Sequence, residues 1–187
     1  VTRVLGVIGS PRNGGNTDVL VSAALEAARS AGADVEPLRL AALDIGECDG
    51  CHACWKGKPC PQHDDMTAVY DTIARNDAIL FGTPVYWYGP TALMKLFLDR
   101  FVYFNCPDHR PMVAGKRAGL VVPLEERNPA TAELVVAMFE RSLAYLEMPL
   151  VGQVVAPGVT ERGEVRTCDD AMNAARDLGR RLAAARH

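Results

Sequence analysis

The sequence has no apolar run long enough to cross a bilayer. Its opening, VTRVLGVIGS, reads as a strand and lacks the basic stretch and apolar core of a leader. A cytoplasmic protein without membrane attachment is the expectation. Basic residues are scattered and the net charge is −3, which offers no electrostatic footprint for a polyanion and argues against a nucleic-acid partner. Internal repeats, low-complexity tracts and charge blocks are also missing, so one domain over residues 1–187 is expected. Neither a Ser-His-Asp set nor a pair of carboxylates stands out. His52, His63, His109 and His187 fall in polar or terminal segments and read as solvated. The G-x-G-x-x-G of dinucleotide sites and the G-x-x-x-x-G-K-S/T of Walker loops are both absent.

Of the 187 residues, 49% are apolar and 23% charged, enough for a substantial core. Runs rich in Val, Ile and Leu recur at RVLGVIG, ADVEPLRL, DAILFGTPV, RAGLVVPL and PLVGQVVAP, and read as strands, several of them buried on both faces. Helical patterns lie at Thr17–Ala31, Met66–Asn76, Thr91–Arg100, Thr131–Leu146 and Cys168–Ala185. This βα alternation predicts an α/β fold, a doubly wound five-stranded parallel sheet in the order 2-1-3-4-5. Two stretches are longer than such a fold needs, 41–65 and NCPDHRPMVAGK, and long loops are commonly functional.

After the first strand, GSPRNGGNTDVL opens a helix. Ser10, Asn13, Asn16 and Thr17 bring donors, Gly14 and Gly15 admit close approach of backbone amides, and the helix terminus adds partial positive charge. A phosphate fits this loop; a plain βα turn capped by Asn16 or Thr17 would use the same residues. The third strand ends in GTPVYWYGPTALMKLFLDR. In the expected order the connections reverse between strands one and three, so their loops share the ligand crevice. Tyr86, Trp87 and Tyr88, stiffened by Pro84, would suit a flat aromatic ligand carrying one phosphate, although each alone would equally suit a core or a subunit interface. Leu93, Leu96, Phe97, Phe101, Tyr103 and Phe104 exceed what one helix face buries, and part of that surface is expected against another subunit.

In ECDGCHACWKGKPCPQHDDM, Cys48, Cys51, Cys54 and Cys60 follow an x2, x2, x5 spacing. Such spacing suits an iron–sulfur cluster. Four thiolates, or three with His52 or His63, also suit zinc, and a loop of free thiols or a disulfide completes the alternatives, the last disfavoured in a reducing compartment. Asp64 and Asp65 precede the next helix and are expected to cap it. Cys106 and Cys168 read as ordinary thiols.

GSPRNGGNT, the four-cysteine segment ending in DDM, and TPVYWYGPTALMKLFLDR together resemble the flavodoxin-like NAD(P)H-dependent FMN reductases, including their iron–sulfur flavoprotein branch. The resemblance implies FMN, its phosphate held by Ser10, Arg12, Asn16 and Thr17. By the same likeness Pro84, Val85, Tyr86, Trp87, Tyr88 and Gly89 border the isoalloxazine, and the turn around Pro123 in VVPLEERN covers another side, departing there from a Gly-rich version common in relatives. It further implies a hydride taken from NAD(P)H and passed to flavin, quinone or a related small acceptor, chemistry the cofactor supplies without a catalytic side chain. An iron–sulfur flavoprotein serving a redox protein partner, with a [4Fe-4S] cluster on Cys48, Cys51, Cys54 and Cys60, is the alternative. A non-catalytic phosphate-ligand module with structural zinc is a second. A homodimer or homotetramer is expected.

Overall fold

β1 (Arg3–Ile8), β2 (Asp34–Arg39), β3 (Ala78–Gly82), β4 (Arg117–Pro123) and β5 (Leu150–Ala156) form one parallel sheet in the order β2-β1-β3-β4-β5, as the alternation predicts. The computed structural model describes residues 1–184; Ala185, where the sequence pattern ends the last helix, and His187 lie outside the described residues. Side chains of the inner strands alternate between two cores, as the period of two requires. Leu5 and Val7, Ile79 and Phe81, and Leu120 and Val122 enter one core; Val4 and Ile8, Ala78 and Leu80, and Val121 enter the other. Each large apolar side chain so buried contributes about 1.5–3 kcal/mol. β3 is buried at every position and lies at the centre, whereas half-exposed β2, with Pro37 unable to donate to a ladder, lies at the edge.

Helices cover both faces. α1 (Asn16–Ser30) and α6 (Asp169–Ala183) close one core. α2 (Met66–Arg75), α3 (Ala92–Asp99), α4 (Val102–Asn105) and α5 (Glu133–Tyr145) close the other. α6 rests directly on α1 because Gly179 carries no Cβ; one there would run into the backbone of Ala24. No described helix is long and apolar enough to cross a membrane.

Two expectations change. Phe97, Phe101 and Phe104 are buried within the chain, whereas Leu93, Leu96 and Tyr103 of the same stretch are half-buried. A break at Arg100 turns the chain into α4, and Phe97, Phe101 and Phe104 pack edge to face within the same core, joined by Phe81 and Phe139. Among the described residues, large apolar side chains that face solvent are Val1, Trp55, Tyr86, Trp87, Tyr88, Leu134 and Tyr145. His109 is half-buried, stacked on Tyr103 with centroids 3.8 Å apart, rather than solvated.

Candidate functional site

The loops that follow β1, β3, β4 and β5 surround a cleft of about 120 Å³. Ser10, Arg12, Asn16 and Thr17 line it from the first loop, Pro84, Val85 and Tyr86 from the second, and Pro123 from the end of β4. These expected residues therefore meet. Trp87, Tyr88 and Gly89 are not among its lining residues. They form the tip of a small hairpin in which Tyr86 and Gly89 exchange backbone hydrogen bonds of 2.8 and 3.0 Å. Trp87 and Tyr88 take left-handed φ values of 49° and 60°, and Trp87 is 97% exposed. The expected turn around Pro123 adds Leu124 and Glu125, and one further wall is absent from the sequence expectation: Val159 and Thr160 beyond β5. Those positions carry no composition signal. Only the strand order, which places the ends of β4 and β5 beside β3, points to them.

Backbone hydrogen bonds tie the loops together. Gly9 N donates to Gly82 O at 2.8 Å, Val85 N to Pro123 O at 3.3 Å, Leu124 N to Ala156 O at 3.0 Å and Val159 N to Leu124 O at 3.0 Å. Thr91 adds a side-chain clamp. Its hydroxyl donates to Gly9 O at 2.5 Å and accepts from Met94 N at 3.1 Å, capping α3, while its own amide donates to the Thr83 hydroxyl. Glu164 fixes the turn after β5 by accepting from Thr160 N and Glu161 N, at 2.7 and 2.9 Å. Those backbone bonds, Glu161's first, hold its carboxyl below the usual range.

α1 starts at the floor of this cleft. Its N-cap is Gly15, which has no side chain to satisfy the first-turn amides, and Thr17 in that turn is only 1% exposed. Asp18 shapes the loop from below, accepting from Gly14 N at 2.7 Å, where φ is +69°, and from Arg39 at 2.6 Å. Asn16 lines the cleft, but its carboxamide is occupied: Nδ2 donates to Val159 O and Glu161 O, and Oδ1 accepts from Val165 N. It is a strut between α1 and the β5 loop. Ser10 Oγ accepts from Arg12 N at 3.2 Å, leaving its hydroxyl hydrogen to point elsewhere. A larger groove of about 810 Å³ runs along α1 and α6. It is open and lies off the strand ends, where this topology collects ligands.

The four-cysteine segment folds around a second, smaller cavity of about 30 Å³, lined by Cys48, Cys51, Cys54 and Cys60 together with Tyr70, Tyr103 and Arg100. Left-handed residues at Gly50, His52 and Gly57 bend the loop back on itself. Cys54 is buried, and burial pushes its thiol pKa up. Cys106, distant in sequence and also buried, comes within electrostatic reach of Cys54. Among the described residues no group of three or more His, Cys, Asp or Glu converges as a single metal ion requires. A cubane cluster makes a different demand, since four thiolates must surround a volume, each meeting its own iron corner. Four cysteines lining one cavity are the donor set that such a cluster takes.

Arg100, only 1% exposed, donates to Asp64, Gly46 O (3.1 Å), Gln62 Oε1 (3.2 Å) and Cys60 Sγ (3.4 Å). Burial would raise the Asp64 carboxyl pKa, but hydrogen bonds from Arg100 and Gly46 N outweigh it and hold the group below the usual range. Burial likewise opposes the charge on Arg100, and its bond to Asp64 reverses that. Of the two aspartates expected to cap α2, Asp64 accepts from Met66 N at 3.1 Å, while Asp65 turns away to Asp44 N.

The sequence profile described as NADPH-dependent FMN reductase matches residues 2–162. An iron–sulfur flavoprotein from Archaeoglobus fulgidus is 33% identical over 98% of this chain and 80% of its own. A putative NAD(P)H-dependent FMN-containing oxidoreductase from Bacillus subtilis is 29% identical over 96% and 97%. Among solved structures, the NAD(P)H:quinone oxidoreductase from Methanothermobacter marburgensis superposes with a TM-score of 0.73 at 18% identity, covering 97% of this chain and 98% of its own, a likeness of fold.

Proposed function

Because this chain belongs to the NADPH-dependent FMN reductase family, we propose that its 120 Å³ cleft seats FMN and that the protein passes electrons from NAD(P)H to a flavin, a quinone or a related small acceptor. It is a flavin oxidoreductase. The observation that carries the site assignment is the uncapped start of α1 at the floor of a cleft. First-turn amides without partners, reinforced by the helix dipole, are an anion seat. Thr17 and Ser10 bring hydroxyl donors to it and Arg12 brings charge at the rim; Asn16 serves through its backbone and as a strut. Pro84, Val85, Tyr86 and Pro123 border the flat part of the ligand, held by the Val85–Pro123 backbone bond. Bound FMN supplies the hydride chemistry. The protein's share is to fix the phosphate, keep the ring edge dry and leave one face open for a nicotinamide. The exposed Trp87 hairpin beside the cleft favours a homo-oligomer in which a second copy covers that tip.

A second reading is favoured by one specific observation, four cysteines around one cavity. In it Cys48, Cys51, Cys54 and Cys60 hold a [4Fe-4S] cluster and the acceptor is a redox protein. Anaerobically purified protein assayed for flavin, iron, sulfide and zinc, and for NADH and NADPH oxidation, tests both. FMN, not FAD, with nicotinamide oxidation is expected for the first reading. Iron and sulfide in equal amounts are added for the second. Protein that takes up FAD and refuses FMN contradicts the cleft assignment.

A further inference from the structure

The Arg100 guanidinium is hydrogen-bonded into the cysteine segment. Its guanidinium meets Gly46 O before the first cysteine, and Cys60, Gln62 and Asp64 at and beyond the last. Asp64 repeats the closure by accepting from Gly46 N at 2.9 Å and Met66 N at 3.1 Å. One buried cation thus joins the two ends of the loop to the end of α3. Its backbone is held from the other side, where Tyr70 Oη donates to Arg100 O at 3.4 Å. Burying a charge is costly, and an anchor of apolar residues would have been cheaper. What a guanidinium offers beyond anchoring is five donors in one plane, and here one of them reaches sulfur. An N–H donor beside a thiolate stabilises negative charge on it, and hydrogen bonds to cysteine sulfurs are among the levers that set cluster potentials.

We propose that Arg100 is a positioning residue of the cysteine loop, fixing both of its ends and donating to the Cys60 sulfur so that a cluster ligated there is reduced at a higher potential than four bare thiolates would allow. The inference rests on the iron–sulfur reading of this loop. Reduction adds one electron to an anionic centre, and Arg100 is the buried cation bonded to one of its ligands. The cleft at the strand ends shares no lining residue with this cavity, so flavin binding is expected to be unaffected by the contact.

Arg100→Lys keeps the charge and loses the planar fork, whereas Arg100→Gln keeps N–H donors and loses the charge. Both are purified anaerobically beside the wild type, with iron, sulfide and flavin counted and the cluster's midpoint potential read by redox titration followed by electron paramagnetic resonance. The expected result is wild-type flavin content and flavin potential in both, with the cluster potential lowered, further in Gln than in Lys. Loss of iron with flavin retained in Arg100→Gln supports the anchoring, and Arg100→Lys then reports the potential. Phe139→Leu, a core change on α5, is the control and should leave the cluster potential in place. An equal drop in Phe139→Leu, or no drop in either Arg100 variant, overturns the inference while the iron–sulfur reading stands. Wild-type protein with flavin but neither iron nor sulfide overturns that reading and the inference with it.

Discussion

The strand-end cleft and the cysteine loop are built on opposite principles. Around the cleft, four short loops leave the sheet within a few residues of a strand, and backbone hydrogen bonds such as Val85–Pro123 and Leu124–Ala156 lace them together. Its geometry belongs to the sheet, so no single side chain carries it. The cysteine loop spans a long irregular segment between β2 and α2; its two ends pair through Asp44–Asp65, Gly46–Asp64 and Glu47–Gln62 hydrogen bonds, and one ion pair, Arg100–Asp64, ties them to the end of α3. Distributed support makes a site tolerant of substitution. A buried charge bonded beside the thiols instead lets one contact tune the site.

That contrast can be broken by mutation. Arg100→Met should have the largest effect, because it leaves the Asp64 carboxylate buried without its partner; breaking a buried pair costs about 3–5 kcal/mol, read as a lowered midpoint in denaturant. Thr17→Val should weaken FMN binding by about 1.5–3 kcal/mol, the value of a hydrogen bond to a charged group, with little change in stability, checked by titrating apoprotein with FMN. Thr91→Ala removes the clamp to Gly9 and the α3 cap, yet the backbone lacing remains, so about 1–2 kcal/mol of stability is expected to go. Acid sharpens the same comparison. Asp64 has a depressed carboxyl pKa, so its contribution is complete above the ordinary value of about 4 and is lost as pH falls through the lower folded value. Denaturation series at stepped pH should show the gap between wild type and Arg100→Met narrowing across that fall. The smallest effect is expected at the hairpin tip: Trp87→Gly relieves a left-handed backbone and should raise monomer stability by about 1 kcal/mol.

How much of this was legible in the sequence follows the same division. Strand order and the floor of the cleft are local matters: apolar runs of the right length and a Gly-rich turn before a helix. Sequence reading therefore places Ser10, Thr17, Pro84 and Tyr86 on one cleft. Val159 and Thr160 escape it because they become neighbours of the first loop only when β5 docks beside β4. Asn16 is read as a ligand and is occupied as a strut, since its partners lie more than 140 residues away in sequence. The aromatics of α3 and α4 look like surplus surface until the break at Arg100 turns them inward. Arg100 itself is invisible: in the sequence it is one more charge at a helix end, and only the fold shows it threaded into a loop that ends 36 residues earlier.

The most direct test sets FMN affinity and cluster content side by side in Thr17→Val and Arg100→Lys. If the two sites are built separately, Thr17→Val lowers FMN affinity and leaves iron and sulfide at their wild-type ratio, whereas Arg100→Lys leaves FMN affinity unchanged and shifts only the cysteine site. Weakened FMN binding in Arg100→Lys equal to that in Thr17→Val, or unaltered binding in Thr17→Val, would contradict the account.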